Sequence, residues 1–154
     1  MLPLLDEAFL PQFKELPFGI SHQASVDFDA LVSMGWEQKY RELMRLGRDF
    51  PLLPLDIAKQ SQKIEGCESE VRMAAVKDEA GHLWFWGHSE ARIITGLIAL
   101  LLQKVNGAKA ADIALMEMES WFQETGLIKH LSQTRGNGLR AIMREIHALA
   151  VTIK

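Results

Sequence analysis

The sequence predicts an α+β fold in a single domain, a small antiparallel β-sheet packed against several α-helices. Three observations predict it. A chain of 154 residues is the size of one domain and is long enough to bury a sizeable core. Val71, Met73 and Ala75 alternate with Arg72, Ala74 and Val76, and Asp78-Glu79-Ala80-Gly81 then leads into Leu83-Trp84-Phe85-Trp86, the pattern of a β-hairpin with a four-residue loop. Other apolar stretches have helical character: residues 93–102 are apolar nearly all round, and Leu139, Ile142, Met143, Ile146 and Ala150 fall on one helical face.

Taken in order, residues 1–22 carry Pro3, Pro11 and Pro17, cannot form one long helix, and are expected to be partly mobile, with the domain proper over 23–154. A short helix is expected over 25–34. Trp36, Tyr40, Leu43 and Met44 occur at i, i+4, i+7 and i+8, one face of a helix ending near Gly47, with Trp36 and Tyr40 as core anchors. Pro51 and Pro54 break the chain, and residues 57–63 suit a brief helix. Both faces of the second hairpin strand carry aromatics, so cover on both sides is expected. Trp84 and Trp86 read as packing, because no basic groove accompanies them. Ser89 is a natural N-cap for the next helix, with Glu90 in its first turn, where a negative charge suits the helix dipole. Gly96 inside that helix costs up to ~1 kcal/mol relative to alanine, which implies close packing of another element there. Asn106-Gly107 ends it, and short helices follow over 109–116 and 119–125, with Met116 and Met118 as gap-filling core. The last helix is expected over 136–152, capped by Ser132 or Thr134. Arg135 stands at its start, where a fixed positive charge opposes the macrodipole; such local conflicts tend to mark functional sites.

Charge narrows the function classes. With 17 Lys+Arg against 20 Asp+Glu the formal net charge is −3, and no block of five or six like charges appears. Neither a nucleic-acid stripe nor a polybasic membrane patch is expected, and partners are proteins or small molecules. Asp6 and Glu7 precede the first basic residue, Lys14, the reverse of a signal peptide, so a cytoplasmic location is expected, where a free thiol survives. The longest apolar stretch contains Thr95 and Gly96 and falls short of the ~20 residues that span a bilayer. The histidines show no paired i, i+4 or His-x-His spacing, and no metal site is expected.

The chain has one cysteine, Cys67, within Ile64-Glu65-Gly66-Cys67-Glu68-Ser69-Glu70-Val71. It can form neither an intramolecular disulfide nor a Cys-x-x-Cys pair. Gly66 lets the backbone turn and β-branched Val71 begins a strand, so Cys67 is expected at a loop tip. A free cysteine usually behaves as a small buried hydrophobe, but a loop with three glutamates has no packing need for one. Those glutamates are expected to raise the thiol pKa.

Gly66-Cys67-x-Ser69-x-Val71, then Ser89-Glu90-x-Arg92-Ile93-Ile94-x-Gly96-Leu97, then His130-Leu131-Ser132-x-x-Arg135-x-Asn137-Gly138-Leu139 resemble, in this order and spacing, the SufE/CsdE family of sulfur acceptors for cysteine desulfurases. The resemblance runs from about Trp36 to the C-terminus, and Leu16-Pro17-Phe18-Gly19 looks more like the CsdE branch. Two positions depart from the family pattern, Arg72 where Trp is usual and His88 where Asp is usual. The resemblance implies a third strand and a SufE/IscU-like fold, a likeness to the iron–sulfur scaffold proteins. It implies Cys67 as a persulfide carrier supported by Gly66, Ser69, Glu90 and Arg135, in an accessory protein that activates a desulfurase. It also implies a cysteine desulfurase as partner, with pyridoxal phosphate on that partner and no cofactor on this chain, and a downstream acceptor such as an iron–sulfur scaffold protein.

The residues alone leave two other classes open, a thiol-dependent Cys/His hydrolase and a non-catalytic helical interaction module. A hydrolase needs a base within reach of Cys67 and a group to orient that base; His88 and His130 are the candidates near the matched motifs, and neither has an evident partner in sequence. A carrier needs only a thiol, charge balance from Arg135 or from a partner, and shelter between transfers. Gly66 is then expected to hinge a loop that is sheltered alone and extended in a complex.

Overall fold

The computed structural model describes residues 2–15, 28–67 and 69–153. A three-stranded antiparallel sheet runs in the order β1 (Gln62–Lys63), β2 (Val71–Lys77), β3 (Leu83–Ser89). The helices described are α1 (Leu10–Lys14), α2 (Phe28–Ser33), α3 (Trp36–Asp49), α4 (Leu55–Ala58), α5 (Arg92–Val105), α6 (Ala110–Leu115), α7 (Met118–Glu124) and α8 (Gln133–Thr152). The third strand that the resemblance implied is β1.

β2 and β3 pair from Val71 opposite Ser89 to Lys77 opposite Leu83, so five residues separate the strands rather than four. His82 adds one more rung, because its carbonyl accepts from the Asp78 N–H at 3.0 Å and its own N–H donates to the Asp78 carboxylate at 2.8 Å. Gly81 takes the left-handed conformation that closes the turn, with φ +88°.

The two sheet faces meet different partners. Met73 and Gly87 face α5, since a Cβ built on Gly87 would lie 3.0 Å from Met73 Cγ and 3.2 Å from Ile98 Cγ2. The Trp84 and Trp86 face meets the N-terminal segment and the chain entering α4: Lys14 Nζ stands 5.5 Å over the Trp84 ring, and Trp86 Nε1 donates to the Pro51 carbonyl at 3.2 Å. The expected cover on both sides is therefore present. Within residues 2–15, Phe13 is fully buried, and Pro3 and Leu5 hydrogen-bond Ala75 on the β2 edge beyond β1. Residues 16–22 of the segment expected to be mobile lie outside the described residues.

α5 is the centre of the core, buried without a break over 93–102. α3 crosses it at two glycines, one from each helix. A Cβ on Gly96 would lie 2.1 Å from the Leu43 carbonyl oxygen, and one on Gly47 would lie 2.1 Å from that of Arg92. Backbone meets backbone at both points, which accounts for the glycine inside α5. The outer edge of β3 is also closed: fully buried Asn106 accepts from Phe85 N–H at 2.8 Å and donates to its carbonyl at 3.1 Å, copying a strand neighbour.

Three expectations change. Tyr40 is 41% exposed and lies against the Trp36 ring, so of the two expected anchors only Trp36 reaches the core. The helix expected over 57–63 is instead the single turn α4 followed by β1, because the edge of β2 offers Gln62 and Lys63 ladder partners in Met73 and Arg72 that a short helix cannot match. The last helix begins at Gln133, about one turn before the expected Gly136, and Ser132, one of the two expected caps, accepts from the Arg135 N–H through Oγ at 3.2 Å.

Candidate functional site

Cys67 lies where the sequence places it, in the loop between β1 and β2. The loop is closed at its base by the Ile64 N–H donating to the Val71 carbonyl at 2.8 Å. Gly66 holds φ +92°, a conformation that L side chains rarely adopt, and a Cβ there would lie 3.4 Å from Ala141 Cβ on α8. The tip thus rests on the small-residue surface of α8. Cys67 Sγ, half-buried, points its weak S–H donor at the Gly138 carbonyl, 3.6 Å away. Glu68 lies outside the described residues.

Around the sulfur is a pocket of about 90 Å³ lined by Cys67, Ser69, Val71, Ile94, Thr134, Arg135 and Gly138. The structure therefore brings together Gly66, Cys67, Ser69 and Arg135, drawn from two segments about 70 residues apart. Partial burial pushes the Cys67 thiol above its ordinary range, because a thiolate loses solvation there, and the Arg144 charge pulls the other way. Among the described residues the main cause is burial; of the three glutamates expected to raise the thiol, Glu68 lies outside the described residues. Arg144 was missed in the sequence; the available signal was helical spacing, since it stands one turn beyond Ala141, against which the loop rests.

Glu90 is placed differently from expectation. Thr95 Oγ1 accepts from the Ser89 N–H at 3.0 Å and donates to the Ser89 carbonyl at 2.8 Å, which holds Ser89 as the last residue of β3. The N-cap position falls to Ala91, α5 starts at Arg92, and Glu90 is an exposed connector rather than a first-turn acid. Its charge acts on His88. Ser89 keeps part of the expected capping role, accepting from the Ala91 N–H at 3.2 Å.

The two departures from the family pattern face each other: Arg72 and His88 are directly paired across β2 and β3. Arg72 donates to the Ser61 carbonyl at 2.6 Å and to Ser61 Oγ at 3.0 Å, tying the approach to β1 onto the sheet. Burial pushes the His88 imidazole below its ordinary pKa, which keeps a neutral ring opposite the guanidinium. Neither His88 nor His130 lines the Cys67 pocket, and His130 is stacked on Trp36 at 4.4 Å between centroids. Among the described residues, no histidine lines the pocket to serve as the base that a Cys/His hydrolase needs. Among the described residues no group of three or more His, Cys, Asp or Glu side chains could hold a metal ion, and no helix is long and apolar enough to cross a membrane.

A half-buried, single thiol on a hairpin loop, lying on the N-terminal half of a helix beside an arginine, defines a site for thiol chemistry on an α+β scaffold. Residues 26–150 match the SufE family, described as an Fe-S metabolism associated domain. The chain is 38% identical over 139 residues to the sulfur acceptor protein CsdE of Escherichia coli (strain K12), covering 90% of this chain and 95% of that one. It is 36% identical over 118 residues to a SufE-like protein of Rhizobium meliloti (strain 1021), covering 75% of this chain and 84% of that protein. The solution structure of a hypothetical protein from Thermus thermophilus shares the fold, with TM-score 0.68 at 16% identity over 99% of this chain and 97% of that one. The chain belongs to the SufE family.

Proposed function

We propose that this protein accepts sulfur from a cysteine desulfurase onto Cys67, stimulates that enzyme by clearing its persulfide, and passes the sulfur on to iron–sulfur cluster assembly or a related pathway. The observation that carries this reading is the Cys67 loop: the one cysteine of the chain sits half-sheltered in a small polar pocket, its Sγ in weak contact with the Gly138 carbonyl of α8. Family membership and the likeness to a sulfur acceptor over most of both chains support it.

The chemistry is one displacement. The Cys67 thiolate attacks the terminal sulfur of the donor's persulfide, a new S–S bond forms at Cys67, the donor's S–S bond breaks, and the donor cysteine leaves as thiolate. One thiol becomes a persulfide as one persulfide becomes a thiol, and the proton lost by Cys67 balances the one regained by the donor. No base or cofactor of this chain is required, so pyridoxal phosphate belongs to the desulfurase and this protein acts as an accessory carrier in the cytoplasm. Gly66 and Ser69 shape the loop, and Arg135 faces the incoming sulfur from the pocket wall. The partial burial that raises the thiol pKa keeps the free protein quiet until a partner draws the loop out.

Intact mass after incubation with a desulfurase and L-cysteine tests the reading. One or more added sulfurs, removable by reductant and mapped to Cys67, are expected in the parent and none in Cys67→Ser; sulfur elsewhere, or unchanged acceptance by the variant, refutes it. Arg135→Ala should slow acceptance while leaving the melting temperature within a few degrees, on the ~0.5 kcal/mol scale of exposed substitutions. Equal rates would reduce Arg135 to a helix-end charge.

A further inference from the structure

The Cys67 pocket contains one arginine, Arg135, and a second, Arg144, stands one turn beyond the α8 surface on which the loop rests. Three cations of α8 lie near the loop. Arg140 is committed to Glu119, its Nε donating at 2.6 Å. Arg135 lines the pocket, exposed, in the first turn of α8. Arg144 is exposed and makes no ion pair among the described residues. Its placement follows from helix geometry. Gly138, Ala141 and Arg144 recur every three residues, each about 60° further round α8, and the Cys67 loop rests on the first two: Sγ at the Gly138 carbonyl and Gly66 against Ala141. Helical side chains lean toward the N-terminus, so a side chain as long as that of Arg144 can extend back over the Ala141 turn, on which the loop rests. A glycine and an alanine leave nothing tall in between.

We propose that Arg144 is the counter-charge of the anionic sulfur at Cys67, first as thiolate and then as persulfide. The direction in which its charge moves the thiol agrees with this placement. The other ionisable side chains described around the loop are Glu65 and Glu70, both exposed, and Arg135. The thiolate half of the proposal concerns the free protein; the persulfide half rests on the sulfur-acceptor reading. Arg144 also lines an open groove of about 610 Å³ between α7 and α8 with Met116, Met118 and Met143, so its side chain has a second place to go.

Alkylation of the free protein by iodoacetamide across pH 6–10.5 tests the first half without any desulfurase. Arg144→Ala should raise the midpoint of thiolate formation by roughly half a unit, which leaves about threefold less thiolate at pH 7.5. Arg144→Lys should restore most of the shift, and Arg135→Ala should move the midpoint less than Arg144→Ala. Circular dichroism of each variant confirms the fold, and Arg144→Gln replaces the alanine variant if that one unfolds. In single-turnover acceptance from a persulfide-loaded desulfurase, Arg144→Ala should be about threefold slow at pH 7.5, with the deficit narrowing as the pH rises towards 10.5 and more of each thiol ionises. A midpoint unchanged by loss of Arg144, or no rescue by lysine, overturns the proposal. So does slow acceptance with an unaltered alkylation profile, which would assign Arg144 to the groove and a partner. Absence of sulfur on Cys67 in the parent would instead sink the acceptor reading and leave the alkylation result standing.

Discussion

The α3–α5 crossing and the Cys67 loop both depend on glycine and use it in opposite ways. At the crossing, Gly47 and Gly96 bring two backbones so close that a Cβ on either would stand 2.1 Å from a carbonyl oxygen. Neither close approach can be relieved by turning a side chain, because both partners are main-chain carbonyls held in helices. At the loop, Gly66 supplies a positive φ, and its missing Cβ would meet Ala141 at an ordinary 3.4 Å. The loop lies on α8 without being locked to it. The proposed carrier role asks that sulfur be kept and then handed over, and the two regions suit the two demands: a close-packed helix crossing on one side, and a loop tip whose described contacts with α8 lie at ordinary distances on the other.

Substitutions can break this division. The largest effect is expected from Gly96→Ala, where overpacking against the Leu43 carbonyl should cost about 2–3 kcal/mol. The melting temperature should fall by roughly 5–10 °C, while the alkylation rate of Cys67 below the transition stays near that of the parent. A neutral Gly96→Ala would mean that the two helices part easily. Gly66→Ala should show the reverse pattern. The left-handed backbone costs a residue with a Cβ about 1–2 kcal/mol, part of which the loop can escape by lifting off α8. A small loss of melting temperature with faster alkylation is expected, and slower alkylation would show that the loop is held by more than its contacts on Gly138 and Ala141.

The smallest expected effect concerns the Arg72–His88 pair, which joins the two regions at the loop end of the sheet. The native state holds His88 neutral because burial lowers its pKa, so the unfolded chain takes up that proton first as the pH drops. The stability tied to this ring is full above the unfolded value of about 6.5 and is lost as the pH falls through the lower native value. Between pH 7.5 and 5.5 the parent should lose roughly one or two degrees of melting temperature more than His88→Gln. Parallel acid dependence in the two proteins would show that the pairing with Arg72 tolerates a second positive charge.

Much of this was present in local pattern. The alternation from Val71, the turn at Gly81, the all-round apolar run of α5 and the glycine within it each follow from periodicity or from a backbone requirement that neighbouring residues express. So does the position of Cys67 at a loop tip, since Gly66 and Val71 stand beside it. Other features depended on groups far apart in the chain. β1 has two residues, too few to carry a period, and exists because β2 has an open edge. Glu90 falls outside α5 because Thr95, six residues past Ser89, completes the hydrogen bonding of β3 with its hydroxyl. Tyr40 follows the helical period yet faces outward, since the period defines a face and not how far the neighbouring elements cover it. The setting of the sulfur was the least visible: the Cys67 loop rests on α8 at Gly138 and Ala141, a contact between segments about 70 residues apart that no local rule encodes.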